Sequence, residues 1–221
     1  NEITPGPIAP YVANGIQNMI NAFTNAGIHK DIKVSAVLKG TVLASSYPPS
    51  AGTFTNETTN FIKHIATILL QHGSPVIINS YPYLAYSSDP QHVSLDYALF
   101  KSTSPVVTDD GGYKYYNLFD AMLDAYHAAF EKIGMSNLIF VVSETGWPSA
   151  GYEPHTSKLN AQVYNKNLVQ RVIGACLFSK CSMKILSKLE LSKTLESSIP
   201  IRNRFIRCFN LGSMHYVMLI C

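Results

Sequence analysis

Short apolar runs alternate with amphipathic helical stretches over the first 172 residues, and few folds accommodate that order. Val12, Ile16, Met19, Ile20 and Phe23 recur at helical spacing until Gly27. Ile32, Val34, Ala36 and Leu38 then alternate like a strand. A Ser-, Pro- and Gly-rich loop at 45–52 leads to a second helix bearing Phe61, Ile62, Ile65, Ile68 and Leu69, which Gly73 closes. Pro75 opens PVIINSYPYLAY, a buried strand that ends in tyrosines. Residues 87–116 are a long excursion in which 95–100 reads as a short hairpin arm and Asp109-Asp110-Gly111-Gly112 as a turn. Asn117 caps a helix carrying Leu118, Met122, Ala125, Tyr126 and Ala129. Residues 138–142 form a strand expected to be buried on both faces, and a last helix runs from about Thr156 to about Val172. Strand, helix, strand, helix, strand, helix predicts an α/β fold with a parallel sheet and crossover helices.

In such folds chemistry collects at the carboxyl ends of strands. Two stretches fall there: Ser80 to Tyr86 after one strand, and Ser143, Glu144 and Trp147 after another, in VVSETGWPSAG. An apolar strand seldom ends on a carboxylate without a partner or a task, because burying an unpaired charge is costly. Trp147, the single tryptophan, follows three residues later on a turn stiffened by Pro148. A carboxylate beside aromatic faces points to carbohydrate. The competing reading is a Glu that caps the next helix or pairs on the surface.

Charge divides the chain. From Val172 onward there are seven Lys/Arg and two acids, which leaves ten basic and twelve acidic residues before it. All four cysteines, Cys176, Cys181, Cys208 and Cys221, also lie in this basic tail, at spacings that match no zinc pattern, and are read as unpaired. Residues 1–172 and 173–221 are therefore treated as separate regions, the first a domain and the second a tail of unknown structure. The tail has few aromatics and no recognition motif, so nucleic acid is not expected as a partner. No apolar run reaches the roughly 20 residues needed to cross a bilayer. No secretory signal opens the chain, which begins at Asn1 and is read as processed or incomplete. The seven histidines form no His-x-His or His-Glu-x-x-His pattern, so no metal is expected. Neither a Gly-x-Ser-x-Gly elbow nor a phosphate-cradling loop is present, and no cofactor is expected. Asn56-Glu57-Thr58 is a glycosylation sequon in an expected surface loop.

The opening NE, SSYPPSAGTF, INSYPYLAY, NLFDAMLDA and VVSETGWPSAG, in this order along the chain, resemble glycoside hydrolase family 17, the plant-type endo-β-1,3-glucanases. The resemblance covers 1 to about 171. It implies a TIM (β/α)8 barrel and a retaining mechanism with two glutamates. Glu2, after Asn1, matches the acid/base at the end of the fourth barrel strand, and Glu144 matches the nucleophile at the end of the seventh. Retention needs the two carboxyl groups about 5 to 5.5 Å apart. At that distance an ionised Glu144 would keep Glu2 protonated. The resemblance further implies that Asn1 binds the sugar or positions the nucleophile and that Tyr81 lines the site. Tyr83, Tyr86 and Trp147 would supply apolar platforms, with packing beneath the loop as the alternative for Tyr83 and Tyr86. The implied partner is β-1,3-glucan, met by a monomer in the extracellular space or cell wall.

Two departures from the family pattern set a further expectation. The first three barrel strands and the usual eighth strand have no counterpart in this sequence, so a partial barrel is predicted. Glu2 on a chain end would be poorly held, and misplacement by about 1 Å costs about a hundredfold in rate. Weak or absent turnover is therefore expected. A non-catalytic β-glucan-binding protein, or an inactive gene fragment that never folds stably, remains the alternative.

Overall fold

The computed structural model describes residues 7–29 and 32–178, with side chains as far as 172. Asn1, Glu2, Cys181, Cys208, Cys221 and the Lys-rich stretch at 183–191 lie outside the described residues, as does the side chain of Cys176.

Helix α1 (Ala9–Asn25) turns Ala13, Ile16 and Ile20 inward and ends at Gly27, whose φ of 73° is a left-handed conformation open to glycine. Strand β1 (Val37–Lys39) follows. A short hairpin of β2 (Leu43–Ser45) and β3 (Thr53–Phe54) then leads into α2 (Asn56–Gln71). Thr55 caps α2 by accepting the Thr58 amide at 3.3 Å, and Gly73, φ 58°, terminates it. Next come β4 (Val76–Asn79) and the helices α3 (Pro82–Ser88) and α4 (Leu95–Ala98). A hairpin of β5 (Val107–Thr108) and β6 (Lys114–Tyr115) precedes α5 (Leu118–Lys132), β7 (Phe140–Glu144) and α6 (Lys158–Phe178). No helix among the described residues is long and apolar enough to cross a membrane.

β1, β4 and β7 form one parallel sheet with β4 in the middle. Parallel neighbours need long crossovers, which α2 and the segment ending in α5 supply. The central strand is the most protected: Val76 and Ile78 are fully buried, and with Leu38, Ile62, Leu69, Phe130, Tyr164 and Leu168 they belong to one continuous core. Asn117 Oδ1 accepts the Asp120 amide at 2.8 Å and starts α5, as expected from sequence.

Three expectations change. Residues 95–100 carry a turn of helix rather than a hairpin arm, because Ser94 accepts the Tyr97 amide at 3.2 Å and caps it. β7 is half-buried along its length instead of buried on both faces, since it is an edge strand among the described residues. Helix α6 starts at Lys158 and continues to Phe178, past the expected end at about Val172.

Candidate active site at the carboxyl ends of two strands

β4 and β7 end side by side, and their pairing slips there. Ile78 faces Val142, but Asn79 faces Glu144, which leaves Ser143 as one residue too many on β7. Such a bulge breaks the two-residue alternation and re-aims the side chains beyond it. The strand ends stay joined: the Ser80 amide donates to the Glu144 carbonyl at 3.0 Å, and Ser143 Oγ donates to Asn79 Oδ1 at 2.6 Å.

Tyr81 reaches Glu144 directly, its hydroxyl donating to Oε2 at 2.9 Å. The local sequence explains the aim. Pro82 excludes the helical region for the residue before it and starts α3 itself, so Tyr81 stays extended, at φ −118°, ψ 92°. Its ring therefore comes off the strand end rather than off the helix. Tyr81 and Glu144 are both half-buried.

Tyr83 and Tyr86 lie three residues apart on α3 and so share a face. Both meet Trp147, at centroid distances of 5.2 Å edge-on and 5.6 Å tilted. Trp147 itself is 5% exposed. Tyr164 of α6 packs against it at 5.8 Å, and its Nε1 donates to the His155 carbonyl at 3.0 Å. It therefore supports the two tyrosines from beneath, whereas Tyr83 and Tyr86, half-buried, remain in reach of solvent. Beneath this layer the Tyr164 hydroxyl shares a hydrogen bond with Thr145, and burial pushes the Tyr164 phenol well above its usual range.

Of the expected site residues, the structure brings Tyr81 onto Glu144 and gathers Tyr83 and Tyr86 on Trp147, while Asn1 and Glu2 lie outside the described residues. Sequence reasoning missed Asn79, which had the same signal as Glu144, a polar residue closing an apolar strand. It placed Ser143 at the strand end but not its bond to Asn79 or the slip in pairing, because a bulge leaves no mark in composition.

Among the described residues, no three His, Cys, Asp or Glu side chains converge so as to hold a metal ion. A pocket at the amino end of the sheet, lined by Ile20, Phe23, His29, Lys33 and His72, has no carboxylate in its wall. Among the described residues, the strand ends offer a carboxylate, Glu144, oriented by the Tyr81 phenol, an arrangement suited to nucleophilic or base chemistry.

The sequence profile of the family described as "Glycosyl hydrolases family 17" matches residues 1–185. The chain belongs to glycosyl hydrolase family 17. Within the family it is 48% identical over 178 residues to a glucan endo-1,3-beta-glucosidase of Vitis vinifera, an alignment covering 79% of this chain and 51% of that protein. A probable glucan endo-1,3-beta-glucosidase of Arabidopsis thaliana is 43% identical over 172 residues, covering 78% and 49%. Among solved structures, CJP38, a beta-1,3-glucanase and allergen of Cryptomeria japonica pollen, superposes with a TM-score of 0.72 at 44% identity, over 78% of this chain and 54% of that one. The chain thus spans about half the length of the family 17 relatives it matches.

Proposed function

We propose that this chain carries the nucleophile side of a retaining endo-β-1,3-glucanase site, with Glu144 as nucleophile and Glu2 as acid/base. In this reading β1, β4 and β7 are the fifth, sixth and seventh strands of a family (β/α)8 barrel. Residues 1–172 are its catalytic portion, and 173–221 a separate tail. The observation that supports it most is the hydrogen bond from Tyr81 to Glu144 Oε2, which fixes the carboxylate at the end of a parallel strand.

Glu144 attacks the anomeric carbon. As the glycosidic C–O bond breaks, the departing oxygen takes the proton of Glu2. Water then attacks the glycosyl-enzyme bond and gives its proton to Glu2, so the anomeric configuration is restored and both glutamates return to their starting states. Tyr81 is a positioning residue: it holds one carboxylate oxygen and leaves the other to attack. Tyr83 and Tyr86 present ring surface to the sugar over the buried Trp147, and Asn1 contacts the sugar beside Glu2. The substrate is β-1,3-glucan, acted on by a monomer in the cell wall or extracellular space.

The test compares the parent with Glu144→Gln, using reducing-sugar release from laminarin and binding of laminari-oligosaccharides. Hydrolysis by the parent, its loss in the variant and unchanged binding are expected. Binding without hydrolysis by the parent would favour the non-catalytic glucan-binding alternative, and no binding by either would refute both.

A further inference from the structure

The aromatic contacts at the site do not end at Trp147. Tyr86 meets His155 edge-on at 5.3 Å, and His155 stacks on Tyr152 at 5.5 Å with 21° between the ring planes. Tyr152 and His155 lie on the segment leaving β7, at the same end of the sheet as Glu144. Tyr152 is 61% exposed. An exposed tyrosine alone needs no explanation. Here, however, the segment that carries it is fastened in place. The Tyr152 amide donates to Thr156 Oγ1 at 2.9 Å, the Thr156 amide returns a bond to the Tyr152 carbonyl at 3.0 Å, and Thr156 is buried. The bond from Trp147 Nε1 to the His155 carbonyl ties the same segment to the floor of the site. An exposed ring, backed by a second ring and joined through Tyr86 to Trp147, three residues after Glu144, is a preordered surface for ligand rather than a loose side chain.

We propose that Tyr152, backed by His155, is an outer subsite that stacks one glucosyl unit of a β-1,3-glucan chain whose reacting bond lies at Glu144; this rests on the hydrolase reading above. The chemistry fits that sugar. A β-linked glucose ring carries its hydroxyls around the edge and presents C–H groups on its faces, and a tyrosine face is electron-rich toward such hydrogens. With few rotatable bonds and the segment already fixed, little ordering entropy opposes the contact. Short oligosaccharides that fill only the positions over Tyr83 and Tyr86 do not reach it, whereas longer ones do.

The single tryptophan supplies the signal, since Trp147 touches Tyr86 and bonds to the backbone of His155. In the Glu144→Gln background, where ligand stays intact, Trp147 fluorescence is titrated with laminari-oligosaccharides from the disaccharide to the heptasaccharide. Tyr152→Ala should weaken binding of the longest ligands about threefold to tenfold and leave the disaccharide unchanged. Tyr152→Phe, which keeps the ring, should match the parent, as should Tyr113→Ala, which removes an equally exposed tyrosine from the 107–115 hairpin. An unchanged melting temperature in Tyr152→Ala is expected, because the side chain is exposed and the segment is held by backbone groups. Affinity that does not respond to Tyr152→Ala at any length overturns the subsite, and so does equal weakening at every length or an equal loss in Tyr113→Ala. If the parent background binds no oligosaccharide, the hydrolase reading falls and the subsite with it.

Discussion

Replacing Tyr81 with phenylalanine keeps the ring and removes the hydroxyl that donates to Glu144 Oε2 at 2.9 Å. With Glu144 as the proposed nucleophile, two effects oppose one another. The hydroxyl stabilises negative charge that attack consumes, so its loss should speed attack. A hydrogen bond to a charged acceptor is worth about 1.5–3 kcal/mol. An attacking carboxylate keeps much of its charge at the transition state, so roughly half of that is at stake, about threefold to tenfold. The hydroxyl also fixes the carboxylate in space. Without it the group turns freely on a half-buried side chain, and displacement by about 1 Å costs about a hundredfold. Positioning therefore wins, and attack should be about tenfold slower. The assay is covalent labelling by 2-deoxy-2-fluoro-laminaribiosyl fluoride, followed by intact mass. Fluoride departs without a proton, so the rate reports Glu144 independently of Glu2. Labelling of Tyr81→Phe at the parent rate or faster would refute the positioning argument, and labelling at another residue would refute the nucleophile.

Gly52→Ala should destabilise the fold by about 2–4 kcal/mol in urea unfolding. Its new Cβ would lie 2.1 Å from the Ala125 carbonyl oxygen, and moving the loop clear would break the 2.9 Å bonds from Lys132 Nζ to the Ser50 and Gly52 carbonyls; unchanged stability would contradict that packing. Asp109 should make stability fall as pH drops below about 4. The Ser50 hydroxyl and amide donate to its carboxylate and hold its pKa below the usual range, so its contribution is complete above the unfolded-state value and is lost on acidification toward the folded one. Melting curves of Asp109→Asn and parent should accordingly converge in acid, and parallel curves would count against the assignment.

The helices were legible because their apolar spacing, caps and terminal glycines agree; Asn117 and Gly73 act as their positions foretell. β4 was legible for a similar reason, as an apolar run in the middle of a parallel sheet. β1 was overread: Ile32, Val34, Ala36 and Leu38 alternate, yet Ile32 is exposed and the ladder begins only at Val37, because an alternating pattern does not say where a partner starts. At α4, Ser94 decided for a helical turn over a hairpin arm, a cap too local to show in an apolar pattern of six residues. At the site, Glu144 and the three tyrosines could be chosen from the sequence. The burial of Trp147 could not, since the same indole in a turn serves equally as a surface or as a support, and Tyr164, which helps to bury it, lies 17 residues further along.

The surplus Ser143 has a consequence for anyone redesigning this strand. Where the carboxylate points depends on how many residues β7 holds relative to β4, and no exchange of side chains alters that count. Removing one residue from 140–143 would restore even pairing and turn the glutamate toward the opposite side of the sheet, with every atom of Glu144 still present.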